Sequence, residues 1–196
     1  MPEESFDQIV LHGGNWHAGW ALDFHTKSSA HAGERVFDTE RTEIGELLYQ
    51  LKYRSDPSKV ESLADKAARF LDTRMFLPSL RAIIPVPPSI ERTFQPVETL
   101  AIAIGRKLNL PVASEYLIKV KRTSVLKGID DKKDRRKELS EAFRVKDDRF
   151  ADADVLVFDD LFRSGETLRE VVRTLIDQGR VARVYILALT KTRKKK

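Results

Sequence analysis

The stretch VLVFDDLFRSGETLREVV, Val155 to Val172, constrains the fold more than any other part of the 196-residue chain. An uninterrupted apolar run leads into two adjacent aspartates, a short turn with one glycine, and a helix with one apolar face. A strand that is apolar on both sides predicts a parallel sheet covered by helices on both faces. Ligands bind such sheets at the carboxyl ends of the strands, where Asp159 and Asp160 fall.

The rest of the chain alternates between strand and helix patterns, as an α/β fold requires. We expect three parts: an N-terminal β-hairpin appendage or hood over residues 1–41, a parallel-sheet domain over 42–190, and a basic tail over 191–196. Apolar strands are predicted at RAIIPVP, ASEYLIKVK, EAFRV, DVLVFDD and RVYILALT, and amphipathic helices begin near Thr42, after Pro57, near Pro96 and after Gly165.

Composition excludes several classes of protein. The chain has no cysteine, which rules out disulfides, thiolate nucleophiles and cysteine-ligated zinc. The four histidines lack the spacing of a tetrahedral metal site. No apolar run approaches the roughly 20 residues that cross a bilayer, and the N-terminus does not resemble a secretory signal. We therefore expect a soluble, cytoplasmic protein without a membrane segment.

Charge is concentrated in two places. The net charge is +5, from 35 Lys and Arg against 30 Asp and Glu, and the tail at 191–196 carries five of the positive residues. The segment 119–137 has nine positive and three negative residues. One cationic segment in an otherwise neutral body favours a local anion site. The tail leaves a nucleic-acid contact open, with a disordered solubilising end as the alternative.

The turn after the aspartates has the chemistry of a phosphate site. Its backbone N–H groups and the helix N-terminus favour an anion, and Gly165 allows close approach. The two carboxylates would repel that anion, so they must face hydrogen-bond donors beside it, either a vicinal diol or a hydrated magnesium ion. A sugar phosphate satisfies both halves of the motif. The proposed phosphate contacts are Arg163, Ser164, Gly165, Glu166 and Thr167.

The same stretch also fits a simpler arrangement, in which Asp160 or Ser164 only caps a helix. Phosphate motifs of other kinds are absent, since the chain has neither G-x-x-x-x-G-K-[ST] nor a G-x-G-x-x-G that opens a helix. A phospho-acceptor aspartate domain would carry its acidic pair early, whereas only one helix and one strand follow this pair.

At these residues the chain resembles the type I phosphoribosyltransferases, whose motif for 5-phosphoribosyl 1-diphosphate (PRPP) is a strand, two acids and a Thr-Thr-Gly-x-Thr-like turn. The segments LLYQLKYRSD, IIPVPPS followed by RTFQPVETLA, and AFRV resemble the ComF-type branch, and the resemblance spans residues 43–190. There are departures. Arg163 replaces the first threonine, only Arg92 and Phe94 match the branch's Arg-Gly-Phe-Asn-Gln, and the N-terminal zinc ribbon is missing.

The resemblance implies a glycosyltransferase that binds PRPP with Mg²⁺ and transfers ribose 5-phosphate to a nitrogen acceptor, a nucleobase, with release of pyrophosphate. Asp159 and Asp160 would be catalytic and would contact the metal indirectly, through magnesium-PRPP. The turn after IIPVP would bind pyrophosphate, with charge from a basic side chain. Its expected contacts are Pro88, Ser89, Ile90 and Arg92.

Two further parts are expected from the same resemblance. A mobile lid would contain Arg122 and Arg136, although a solvated charge run also fits that segment. The hood would bind the acceptor through Trp20, Phe24 and His25, although these residues also suit a small satellite core. A homodimer stays open. The alternative function is a PRPP-binding regulatory or DNA-uptake protein of the ComF type that has lost turnover.

Overall fold

The apolar run before the two aspartates forms a nine-residue strand inside a five-stranded sheet. The structure is a computed structural model, and it describes residues 8–32, 36–89, 93–120 and 141–193. The strands are β1 (Ile9–Val10), β2 (Ala18–Phe24), β3 (Thr26–Ala32), β4 (Val36–Arg41), β5 (Leu80–Pro85), β6 (Leu117–Lys119), β7 (Phe143–Val145), β8 (Asp154–Phe162) and β9 (Arg183–Lys191). The α-helices are α1 (Glu43–Tyr53), α2 (Lys59–Asp72), α3 (Pro96–Leu108) and α4 (Glu166–Asp177), with a 3₁₀ turn at Leu77–Ser79.

The central sheet is mostly parallel, which confirms the predicted fold class. Its strand order is β1-β2-β9-β8-β5, and only β1 runs antiparallel to its neighbour. Helices cover both faces. The face with α4 contains the sheet residues Val155 and Val157, while the face with α1, α2 and α3 contains Leu156 and Phe158. These four side chains are fully buried, so β8 is a doubly covered strand, as its continuous apolar run predicts.

The parallel register brings the functional segments to one edge of the sheet. Pro85 at the end of β5 pairs with Phe158, the residue before the two aspartates. The backbone N–H of Val86 then donates to the carbonyl oxygen of Phe158 at 2.9 Å, which extends the pairing into the proline turn. The turn that follows β5 therefore starts beside Asp159.

The N-terminal region divides into two parts. Strands β3 and β4 form a separate antiparallel pair within residues 1–41, whereas the expected hairpin around the Gly-Gly-Asn turn corresponds to β1 and β2. Strand β2, which also belongs to the 1–41 segment, pairs in parallel with β9 in the central sheet. Its Ala21 and Leu22 are buried on opposite faces, and this double burial suits a strand inside a covered sheet.

The two strand segments on either side of residues 121–140 leave the predicted parallel pattern. Strands β6 and β7 pair with each other in an antiparallel two-stranded sheet. Leu117 is buried and Ile118 is 37% exposed, so β6 has one solvent-exposed face and does not suit a sheet that is covered on both sides. The position beside β5 is taken instead by a single parallel bridge from Val112 to Ile83. None of the described helices has the length and apolar character needed to cross a bilayer.

Candidate functional site

The acid pair and the proline turn line one cavity of about 310 Å³ at the carboxyl edge of the sheet. Thr167, in the first turn of α4, belongs to the same wall. Residues from β8, the β5–α3 connection, and helices α1, α3 and α4 meet here. They are Lys52, Pro85, Val86, Pro87, Pro88, Ser89, Gln95, Pro96, Val97, Glu98, Ser114, Lys119, Phe143, Asp159, Asp160 and Thr167.

The two aspartates have different surroundings. Asp160 is buried, with 6% of its surface exposed, whereas Asp159 is partly exposed to the cavity. The Asp159 carboxylate accepts a hydrogen bond of 2.8 Å from the backbone N–H of Asp160. Desolvation in the cavity wall and the neighbouring Asp160 carboxylate raise the pKa of Asp159 to about 7. Ionisation of Asp159 is therefore less favourable here than for a solvated aspartate.

Lys52 on helix α1 neutralises the buried member of the pair. Its ammonium lies 2.6 Å from Oδ2 of Asp160, and 23% of the lysine side chain is exposed. Burial would lower the pKa of Lys52, but the charge and hydrogen bond of Asp160, with Asp159 nearby, raise it overall. The lysine is therefore cationic at neutral pH and keeps the buried carboxylate paired.

The turn after β8 encloses a second cavity of about 100 Å³, lined by Asp159 and by residues 161–168. Gly165 has a φ of +77°, and a Cβ there would lie 2.8 Å from the ring of Phe162. Glycine is therefore required at this position for both conformation and space. The N-cap residue of α4 is Gly165, which has no side chain to accept a hydrogen bond from the helix. The first N–H groups of a helix also lack acceptors within that helix. The sequence-predicted contacts thus surround an open concavity at a helix N-terminus.

The five predicted phosphate contacts do not present the same groups. Arg163 is exposed at the rim, and Thr167 belongs to the walls of both cavities. The Glu166 side chain is 4% exposed and its carboxylate pairs with Arg169 at 2.7 Å. A carboxylate repels phosphate, so the contribution of Glu166 to anion binding is limited to its backbone N–H.

The predicted pyrophosphate contacts are described in part. Pro88 and Ser89 are exposed in the proline turn and line the larger cavity, whose wall also contains Thr167. Helix α3 also begins at this cavity, and the side chain of its N-cap residue Gln95 makes no cap hydrogen bond. Ile90, Arg92, Arg122 and Arg136 lie outside the described residues.

The three acceptor candidates have different surroundings in the structure. Trp20 stacks on Phe76 with ring centroids 5.3 Å apart and meets Phe70 edge-on at 6.0 Å, so it belongs to the core between the sheet and the helices. Phe24, at the end of β2, lies under the guanidinium of Arg193 at 4.1 Å. Trp20 therefore packs against the main core of the domain, and not in a small separate core.

His25 is linked to the acid pair through the hydroxyl of Thr190. Its Nδ1 is 3.3 Å from Oγ1 of Thr190, and that hydroxyl donates to the backbone carbonyl of Asp160 at 3.2 Å. Because the threonine proton is used there, Nδ1 of His25 donates and Nε2 is left as the acceptor nitrogen. Burial, with the charges of Arg41 and Lys52, lowers the pKa of His25, so the ring is neutral near pH 7.

Sequence reasoning missed Lys52 and Arg169. Lys52 follows Leu48 by four positions, so it falls on the buried stripe of α1, where a lysine indicates a buried partner. It also lies inside LLYQLKYRSD, one of the segments that carry the family resemblance. Arg169 gave no such signal, because its partners come from the turn and from the N-terminal loop.

Comparison with known proteins finds similar solved structures. No known family profile matches the sequence, and no curated protein matches it. Among solved structures, UMP synthase of Leishmania donovani is 18% identical with a TM-score of 0.43, and the match covers 74% of this chain but 24% of that one. Adenine phosphoribosyltransferase of Leishmania tarentolae is 10% identical, with a TM-score of 0.46 and coverage of 81% and 78%.

A third structure is adenine phosphoribosyl transferase of Trypanosoma brucei in complex with AMP, pyrophosphate and ribose-5-phosphate. It is 11% identical with a TM-score of 0.41, over 78% of this chain and 70% of that one. Identities of 10–18% and TM-scores below 0.5 leave function to be argued from the site's own residues.

Replacing Lys52 by methionine should destabilise the protein by about 1.5–3 kcal/mol, because Asp160 loses its charge-assisted partner. Urea unfolding would measure the change. In the double variant Lys52→Met/Asp160→Asn, the loss should be smaller than the sum of the two single losses. Lys107→Met is a matched control, since Lys107 is 27% exposed and pairs with two surface acids. It should cost clearly less than Lys52→Met does, because exposed ion pairs are screened by solvent. Strictly additive single losses would refute the Lys52–Asp160 coupling.

Proposed function

We propose that this chain is a phosphoribosyltransferase of the ComF-like branch. It would bind PRPP with magnesium, transfer the 5-phosphoribosyl group to a nitrogen acceptor such as a nucleobase, and release pyrophosphate. One observation carries the proposal: the acid pair lies between two helix N-termini, and Thr167 belongs to the walls of both adjoining cavities. That order of polar groups matches a ligand with a phosphate at one end, a diol in the middle and a diphosphate at the other end.

The 5-phosphate would occupy the smaller cavity. Backbone N–H groups at the start of α4 and the positive end of its dipole would favour an anion there, while Arg169 pairs with the carboxylate of Glu166 in the first turn. The hydroxyl of Thr167 adds a donor, and the exposed guanidinium of Arg163 adds a cation at the rim. Gly165 permits the close approach of the ligand, since its conformation and the nearby Phe162 ring exclude a Cβ.

The ribose would lie over Asp159. A carboxylate accepts hydrogen bonds from two neighbouring hydroxyls, and Asp159 faces the junction of the two cavities. Asp160 is held by Lys52, so its role is to support the charge and orientation of its neighbour. Binding a diol to Asp159 favours the ionised form of that carboxyl, which lowers its pKa from about 7.

The diphosphate would lie against the proline turn. Ser89, the N-terminus of α3 and Lys119 surround that part of the larger cavity. Among the described residues, no three metal-ligating side chains are grouped. Magnesium usually takes one or two carboxylates plus substrate phosphates, so Asp159 and the diphosphate oxygens are a fitting donor set. When bound, the ion would neutralise charge on the leaving group.

Transfer breaks the bond from C1 of ribose to the diphosphate and forms a bond from C1 to the acceptor nitrogen. Positive charge develops on the ribose, and an ionised Asp159 lies on the side that stabilises it. The acceptor nitrogen then releases its N–H proton to solvent. The neutral ring of His25, whose Nε2 can accept a hydrogen bond, remains a candidate contact for the acceptor substrate. Phe24 remains a second candidate, whereas Trp20 is used in the core.

A second function is favoured by one specific contact. Lys52 neutralises half of the acid pair at 2.6 Å, which reduces the negative charge available to a developing ribose cation. A PRPP-binding regulatory or DNA-uptake protein of the ComF type would need the contacts that bind PRPP, but it would not need the full negative charge of the two aspartates. The two functions share the ligand and differ in turnover.

An assay for pyrophosphate separates the two functions. The protein is incubated with PRPP, magnesium and a panel of purine and pyrimidine bases, and pyrophosphate release is followed. We expect release that depends on one class of base, since a transferase needs its acceptor. Tight PRPP binding with no pyrophosphate from any base would support the regulatory function, and absence of PRPP binding would refute both.

Thr167→Val tests the position of the phosphate. The variant removes one hydroxyl donor and preserves side-chain volume, so affinity should fall about tenfold. The loss should be equal for ribose 5-phosphate and PRPP, because both carry the 5-phosphate, and isothermal calorimetry would measure it. Thr167→Ser keeps the hydroxyl and should retain affinity. A loss confined to PRPP would show that Thr167 contacts the diphosphate instead.

Asp159→Asn tests the ribose contact. We expect PRPP affinity to fall about tenfold or more, because an amide accepts fewer hydrogen bonds than a carboxylate and carries no charge. The free energy of unfolding should change little, since Asp159 has no ion-pair partner in the described residues while Asp160 does. Asp148→Asn, at an exposed surface pair, is the control. Unchanged PRPP affinity in Asp159→Asn would remove the ribose assignment.

A further inference from the structure

Arg169, in the first turns of α4, joins three segments of the chain. Its Nε donates to the carbonyl oxygen of Gly13 at 2.6 Å. Its Nη1 donates to the carbonyl oxygen of Ser164 at 3.2 Å and to Oε1 of Glu166 at 2.7 Å. A single guanidinium therefore connects the N-terminal loop with both sides of the turn at the smaller cavity.

The two acceptors in the turn are groups that an anion would avoid. The Ser164 carbonyl carries a partial negative charge, and the buried Glu166 carboxylate carries a full one. Guanidinium is the side-chain group that can bond several oxygen acceptors at once in a fixed plane. While Arg169 holds these oxygens, the N–H groups of the same residues can face a bound phosphate.

The N-terminal loop reaches the turn by a second route as well. The indole of Trp16 meets the ring of Phe162 edge-on, with centroids 6.2 Å apart, and its Nε1 donates to the carbonyl oxygen of Leu11 at 2.9 Å. Phe162 in turn packs against Gly165, where an added Cβ would lie 2.8 Å from its ring. The loop at residues 11–16 thus touches the turn through a hydrogen bond on one side and aromatic packing on the other.

We propose that Arg169 is a positioning residue that holds the phosphate turn in its anion-binding conformation and couples occupancy of that turn to the N-terminal loop. This inference rests on the proposed function, because it takes the ligand of the turn to be the phosphate of a sugar phosphate. Arg169 acts through the turn and does not touch the ligand. At metal sites, residues that orient the ligating groups change affinity about 10–100-fold when they are replaced, and we expect an effect of the same order here.

Helix α4 offers a matched control. Arg173 lies one turn after Arg169 and pairs with Glu170 at 2.6 Å, also at a spacing of three residues. It makes the same type of ion pair on the same helix, but its partners are Glu170 and Asp177 and not the turn. Arg169→Gln and Arg173→Gln therefore differ in the turn contacts while matching in charge change and helix position.

Calorimetry with ribose 5-phosphate tests the affinity. We expect Arg169→Gln to weaken binding at least about tenfold and Arg173→Gln to bind within about twofold of the unaltered protein. Arg169→Lys keeps the charge but loses the planar fork, so it should recover only part of the loss. Thermal unfolding shows whether each variant is folded. Should Arg169→Gln not fold, Arg169→Lys is the deciding variant, and affinity equal to that of Arg173→Gln would overturn the proposal.

Tryptophan fluorescence tests the coupling to the loop. The chain has two tryptophans, and Trp20→Phe leaves Trp16 as the only reporter. We expect saturating ribose 5-phosphate to change Trp16 emission, and we expect this change to be absent in Arg169→Gln and present in Arg173→Gln. A purely structural role would leave the response at saturation intact in Arg169→Gln, and that result would overturn the coupling.

The controls separate this inference from the proposed function. If the unaltered protein does not bind ribose 5-phosphate, the proposed function fails and the inference fails with it. If the unaltered protein binds and all three arginine variants bind equally well, Arg169 has no positioning role while the phosphate site stands.

Discussion

Parallel pairing between β5 and β8 is the constraint on which the site depends. The pairing continues one step past the strand, where the Val86 N–H donates to the Phe158 carbonyl at 2.9 Å. Two connections that are about 70 residues apart in sequence therefore start side by side, one rich in proline and the other acidic. Because both strands are covered on both faces, a shift of register would bury charge and expose apolar surface. The core thus sets the separation of the polar groups at the edge.

The electrostatics of the edge follow from that arrangement. Two helices begin where two strands end, so the positive ends of their dipoles flank the paired carboxylates. Lys52 approaches from α1 and balances the buried aspartate. The remaining carboxylate, on Asp159, stays at a pKa of about 7 and responds to whatever lies over it. Under the proposed function, this arrangement would accept a ligand with negative ends and a hydroxylated middle.

The local parts of this molecule are the parts that sequence reasoning could predict. The aspartates, Gly165 and α4 follow one another directly, so strand, turn and helix are defined by neighbouring residues. The contacts that depend on docking were not predictable. Lys52 meets Asp160 only because α1 packs on the sheet, and Arg169 reaches Gly13 only because the N-terminal loop folds against α4.

The N-terminal strands and the strands on either side of residues 121–140 show a second limit. The apolar residues of β2 indicate a strand, but nothing local says that its partner is β9 at the other end of the chain. In the same way, β6 is a strand as expected, but one of its faces is exposed to solvent, and it pairs with β7 instead of joining the main sheet. Periodicity predicts a strand from its own residues, whereas pairing depends on surfaces that are distant in sequence.

The pairing of β2 with β9 has a consequence for biosynthesis. A nascent chain makes β2 well before β9, so the central contacts of the sheet close only after β3 to β8 have been synthesised. Until then, β2 and β8 lack the neighbour that separates them, and their apolar faces need protection from aggregation. Pairing between such distant segments also slows folding, because a long loop must close first.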